Sequence, residues 1–212
     1  MGTSPQVLTE TLYAIHMQGK PFPEEVYLIT SANAKAKAVE WLFEQGQIEY
    51  LKAHHNLPDF KFELSHILPM QHDDGVEVFN GREEEDQQSI ADSITRIVAK
   101  FTTDENCRIH ASIAGGRKTM AFYMGYAMSI FGREQDVLSH VFVSEDFEFS
   151  EKFFFPTLID NYIANKDKVL NTKDAKVTLA EIPFVRMRNM VDQSFINQIE
   201  SQTFCYNLAL LN

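Results

Sequence analysis

The segment RIHASIAGGRKTMAFYMGYAMSIF, residues 108–131, limits the possible folds more than any other part of the chain. A short run with β-branched residues ends at Ala114, two glycines follow, and a long apolar stretch of helical character begins. Strand, tight turn and helix in direct succession make half of a βαβ unit. The same alternation recurs elsewhere. Residues 26–30 (VYLIT), 60–68 and 137–144 read as strands, and helices are expected over residues 5–17, 34–54, 83–101 and 116–131. Ile90, Ile94, Ile97 and Val98 form the buried stripe of the third helix. Beyond residue 150 the pattern is less regular, with a strand expected over 176–186 and a polar helix at the C terminus. Strands alternating with helices imply an α/β domain with a mostly parallel sheet and helices on both faces. The expected division is one domain over residues 1–175 and a strand-and-helix extension over 176–212. The chain opens on a helix start (MGTSPQVLTE) where a doubly wound domain places a strand, so the first strand is expected to be missing from this chain.

In open parallel sheets, ligands sit beyond the carboxyl ends of the strands, where loops meet helix N termini. Three turns of this chain qualify. The first is GGRKT, residues 115–119. Gly115 and Gly116 permit a sharp turn and close approach of the backbone to a ligand, and the first amides of the following helix point outward at an anion. Arg117 adds a fork suited to phosphate, Lys118 a point charge and Thr119 a hydroxyl. The spacing is neither a Walker A loop nor a G-x-G-x-x-G fingerprint, so no nucleotide cofactor is expected. The second turn is GTSPQ, where Thr3 and Gln6 match a capping box and Ser4 leaves a second hydroxyl. If it lies beside GGRKT, two helix N termini converge on one ligand. The third is LITSAN, in which Thr30, Ser31 and Asn33 lie on the same expected edge, with capping of the next helix as the simpler role for Ser31 or Asn33. Arg186 and Arg188 alternate with Val185 and Met187 and so point to one face, toward an anion or toward water.

Composition narrows the ligand. The net charge of −11 disfavours a chain that coats long nucleic acid, but leaves room for a compact anion at a local cluster of cations. Seven histidines make no compact metal-ligand pattern, and QHDDG at residues 71–75 reads as a polar loop, so no metal is expected. There is no G-x-S-x-G elbow. Two cysteines, Cys107 and Cys205, form no disulfide framework, and no run of 18 apolar residues or signal peptide is seen. A cytoplasmic protein without a membrane partner is the expectation.

Taken together, GTSPQVLTETLYAI, SIAGGRKTMAFYMGYAMSIFGREQDVLSHVFVSEDFE and LAEIPFVRMR resemble the stand-alone CRISPR-associated CARF-domain proteins, relatives of the ring nucleases, over nearly the whole chain. The resemblance implies a Rossmann-like CARF domain, a homodimer, and a cyclic oligoadenylate of type III CRISPR defence bound across the two-fold axis. It puts Thr3, Ser4, Gln6, Gly116, Arg117, Lys118 and Thr119 in the pocket. The chain departs from the pattern at its start and after Arg188. If the ring is cut, the expected route is metal-independent attack of a ribose 2′-OH on its own phosphate, with Arg117 and Lys118 neutralising charge and Ser4 or Thr3 positioning the nucleophile. The alternative is a sensor that binds the ring intact and relays the signal to a partner.

Overall fold

The computed structural model describes residues 2–148 and 150–190. Its first element is α1 (Gln6–Met17), which buries Leu12, Ala14 and Ile15. β1 (Leu28–Thr30) follows and pairs in parallel with β2 (Ile67–Pro69), Leu28 opposite Ile67. Between them the expected single helix of residues 34–54 is broken into α2 (Ala32–Ala38), one wide turn over Val39–Glu44, and α3 (Gln47–His55). The break falls where Gly46 adopts φ 67, a left-handed conformation that ends one helix and starts the next. The expected strand over 60–68 shrinks to its last residues, because residues 64–66 form a short 3₁₀ turn instead.

α4 (Glu84–Phe101) carries most of the expected stripe, with Ile90, Ile94 and Val98 buried and Ile97 only half-buried at its edge. Its acidic start is a closed capping box: Glu83 accepts from the third-position amide and Asp86 accepts from the Glu83 amide. β3 (His110–Ser112) then pairs in parallel with β4 (Val137–Val143), across α5 (Lys118–Phe131). A hairpin of β5 (Tyr162–Asn165) and β6 (Lys168–Asn171) occupies part of the region read as irregular. Its turn contains Lys166 at φ 53, where glycine or asparagine would have signalled a hairpin. β7 (Val177–Glu181) runs antiparallel to β4, Val141 opposite Leu179.

The fold is mixed α/β and of Rossmann-like form, with apolar packing on both sides of its parallel pairs. On one side Ile90, Ile94 and Val98 of α4 and Met120, Met128 and Phe131 of α5 pack on Ala111 and Leu138. Ile29 of β1 joins that cluster, so both parallel pairs share it. On the other side Leu12, Leu42 and Leu51 pack on Leu28, Ile67, Phe154 and Phe155. The C-terminal helix expected after β7 falls outside the described residues.

Candidate functional site

Gly115 and Gly116 leave β3 at φ 71 and φ 83. A side chain at either position would be strained. Space is equally short: a Cβ on Gly115 would come 3.0 Å from Val7 Cγ2, and one on Gly2 would come 2.8 Å from Gly116 Cα. The turn before α1 is therefore packed backbone to backbone against the glycine loop. Thr3 and Ser4 are exposed on that turn, and Lys118 and Thr119 are exposed just past the loop. The turn before α1 and the start of α5 therefore lie side by side.

Arg117 is the N-cap of α5 in extended backbone, and no side chain caps the helix. The amides of its first turn therefore have no intrahelical acceptor. Arg117 Nε donates to the Asn80 carbonyl at 2.9 Å, which ties the guanidinium to the loop before α4. Gly81 turns that loop at φ 66, where a Cβ would meet Ile90 Cδ1 at 2.9 Å and lie in ordinary contact with Arg117. Sequence reasoning missed Asn80 and Gly81 as parts of this site. The Asn-Gly dipeptide was the available signal, but it marks a turn without saying what the turn holds. A small, mostly apolar cleft opens beside the loop, lined by Ser112, Ala114, Gly115 and Met120 with Ile29 of β1.

Other expected site residues lie elsewhere. The Thr3–Gln6 capping box does not form: Pro5 is the N-cap of α1, with no side-chain cap. Gln6 is buried instead and its Nε2 donates to the Glu151 carbonyl at 2.9 Å, while Thr9 Oγ1 donates to the Phe154 carbonyl at 2.7 Å. The polar start of α1 is thus an anchor for the segment after β4. Thr30 is 0% exposed and Ser31 7%, both covered by the loop that follows β2. That loop closes the start of α2, where the amides of Ala32 and Asn33 donate to the carbonyls of Val78 and Phe79 at 2.9 and 3.0 Å. Ser31 Oγ bonds Asn33 Oδ1 at 2.8 Å. Arg186 is exposed and Arg188 half-buried, and both are held by backbone carbonyls. They donate to the carbonyls of Arg133, Asp136 and Phe131, at the far end of α5.

One buried group and one half-buried group near these elements, Glu10 and His110, are displaced in pKa. Burial, with a smaller contribution from Glu148, pushes the Glu10 carboxyl of α1 up to about 8. Burial, and then the neighbouring Arg108, pushes His110 down to about 4, and its Nε2 lies 2.8 Å from Ser139 Oγ. At neutral pH both groups are uncharged.

Among the described residues no three histidine, cysteine or acidic side chains gather as a metal site, and no helix is long and apolar enough to cross a membrane. A search of curated proteins finds no match to the chain. A family model described as CRISPR-associated protein NE0113 (Cas_NE0113) matches residues 4–210, a span that holds Ser4, the glycine loop and both cations. The chain belongs to the CRISPR-associated NE0113 family.

Proposed function

We propose that the chain binds a cyclic oligoadenylate, cyclic tetra-adenylate foremost, at the rim where the Thr3–Ser4 turn meets the glycine loop, and opens it slowly to end type III CRISPR signalling. One observation carries this reading: Gly2 lies against Gly116, so the Thr3–Ser4 turn packs on the loop that leads to Arg117, Lys118 and the start of α5. Such a cradle suits a compact phosphodiester, since amides and cations at a helix start bind anions. An acidic exterior repels long polyanions while the rim stays locally cationic. Membership of a CRISPR-associated family agrees with a signalling nucleotide as ligand.

In the cleavage step a ribose 2′-oxygen bonds to its adjacent phosphorus and the bond from phosphorus to the 5′-oxygen breaks. The proton of the 2′-OH leaves to solvent and the 5′-oxygen gains one, giving a 2′,3′-cyclic phosphate and a 5′-OH. Arg117 and Lys118 stabilise the charge that grows on the phosphoryl oxygens. Ser4 or Thr3 holds the nucleophile in line. The second reading, a sensor that does not cut, draws on the same rim. Thr3, Ser4, Arg117, Lys118 and Thr119 are donors and hydroxyls, with no base among the five. Incubation with labelled cyclic tetra-adenylate in EDTA separates the readings. Linear product that disappears in Lys118→Ala supports cleavage, and intact ring recovered from a tight complex supports the sensor. Absence of binding by any adenylate ring removes both.

A further inference from the structure

The parallel strands of this fold are in two pieces. β1 pairs with β2, β3 with β4 and β4 with β7, but no pairing joins β1 to β3. The two pieces nevertheless share one core. Ile29 of β1 packs in the same cluster as Ala111 of β3, against α4 and α5. On the opposite face α1 spans the seam. Leu12 packs with Leu28 on the β1 side, and Ala14 and Ile15 pack with Ala114 and Val141 on the β3 side. Between these layers lies the cleft that separates Ile29 from Ser112, with Ile94, Met120 and Met124 along its wall. Parallel strands covered by helices on both faces ordinarily form one continuous sheet.

The backbone of β3 has a free edge along this seam. The Val137 amide donates to the Ile109 carbonyl and the Ile113 amide to the Ser139 carbonyl, both at 2.9 Å. Alternate residues of a parallel strand bond to the same neighbour. Ile109, Ala111 and Ile113 therefore face β4, and His110 and Ser112 turn their amides and carbonyls to the seam. Among the described residues no backbone bond reaches His110 or Ser112 from that side. A row of unpaired groups on a strand edge is a template for one more strand.

We infer that the seam is a docking slot for one more strand, an extended uncharged apolar segment joined in line to Gly2, which runs parallel to β1 and β3 and unites the two pieces. Its direction follows from two contacts. Gly2, where the described chain starts, lies against Gly116 just past the carboxyl end of β3, so the segment ends where β3 ends. α1 then leads from Gly2 toward β1, and a strand–helix–strand connection of this kind joins parallel strands. The chemistry of the segment follows from the walls. Ile94 and Met124 meet one of its faces and α1 the other. Both faces must therefore be apolar, and β-branched residues suit them best. A charged side chain there would lose its hydration with no partner in the cleft. About five residues match an ordinary strand. The order β2-β1-segment-β3-β4-β7 is that of a doubly wound sheet, whose ligand crevice opens at the carboxyl end of the central strand. That end is the Gly2–Ser4 turn, so the segment would fix the turn against the glycine loop whatever binds there.

Insertion of Val-Ile-Val-Ile-Val between Met1 and Gly2 tests the slot, with Ser-Glu-Ser-Glu-Ser as the control. Hydrogen exchange at the amides of His110 and Ser112 is read together with thermal melting. The expected result is exchange slowed about tenfold or more and a melting temperature raised by several degrees in the apolar variant alone. Ser112→Pro in the extended chain removes an amide that β4 does not use, and should cancel the slowing at His110. If the extended chain fails to fold, the free peptide Lys-Val-Ile-Val-Ile-Val-Gly is titrated into the 212-residue chain and the same amides are followed; slowing there supports the slot. Exchange unchanged by insertion and by peptide, an equal gain from the control, or slowing that survives Ser112→Pro overturns the inference. Oligoadenylate binding is read separately. A filled slot in a chain that binds no ring removes the proposed function and spares the slot; ring binding with unchanged exchange does the reverse.

Discussion

Both ends of α5 carry cationic side chains, Arg117 and Lys118 at one and Arg133, Arg186 and Arg188 at the other, yet they use them in opposite ways. At the C-terminal end each guanidinium is committed to the chain. Arg133 grips the buried Asp136 carboxylate through Nε at 2.9 Å and also donates to the carbonyls of Asp104 and Cys107. Arg186 and Arg188 close carbonyls at the foot of the helix. Burial pushes the Asp136 carboxyl up, but the Arg133 guanidinium and the amides of Ile109 and Arg133 outweigh it and hold the group below its ordinary value. At the N-terminal end Lys118 is exposed and Arg117 is fastened by Nε to one carbonyl, which aims the side chain without neutralising it. Cations at a helix C terminus complement its dipole, whereas cations at an N terminus oppose it and gain from an added anion. A residue type therefore says little about function until its partners are known.

The contrast can be broken most sharply at the closed end. Asp136→Ala strands a buried Arg133 and is expected to destabilise the fold by about 3–5 kcal/mol, measured by urea denaturation, while the folded fraction binds ligand as before. If binding is lost in step with Lys118→Ala, the two ends are not functionally separate. At the open end, Arg117→Ala and Lys118→Ala should each weaken oligoadenylate binding by about 10–100-fold. Lys118→Ala should leave the melting temperature unaltered, and calorimetry at rising salt should show wild-type affinity falling more steeply than that of either variant. Gly116→Val joins the two kinds of effect. It forces a β-branched residue to φ 83 and should cost about 1–3 kcal/mol of stability together with the binding.

A smaller effect lies beneath the open end, at Glu10. Its folded pKa is raised to about 8, so the folded chain keeps a proton that the unfolded chain releases near 4.5. Stability then falls as pH rises across that window. Glu10→Gln should melt several degrees above wild type at pH 8 and lose the advantage toward pH 4. His110 has the opposite sign: its folded pKa of about 4 lies below the ordinary 6.5, so its penalty appears as pH falls through that range. The smallest effect is expected for Arg188→Ala, about 1 kcal/mol for one charged donor on a carbonyl. A larger loss would mean that the strap after β7 holds α5 more firmly than its hydrogen bonds indicate.

Much of the fold was legible because it rests on periodicity. The stripe of α4, the length of α5 and the apolar run of β4 follow from the repeat of residues that must face a core. The break at Gly46 and the hairpin around Lys166 were not legible, since one interrupts an otherwise continuous helical pattern and the other uses a turn residue without a turn signature. At the site, the sharp glycine turn and the cations that follow it were readable because backbone freedom and charge are local properties. Gln6, Thr30 and Ser31 shared the same local signs and went to other tasks, as anchor and covered cap.

The amino-acid sequence by itself determined that a strand, two glycines and a helix would expose unsatisfied amides next to Arg117 and Lys118, because those consequences need only neighbouring residues. Tertiary structure alone decided that Gly2 would lie on Gly116, that Asn80 would aim Arg117, and that Arg186 and Arg188 would be consumed at the far end of α5. These pairings join residues tens of positions apart. Which hydrogen-bonding groups stay open to a ligand is known only after every buried donor has found its acceptor.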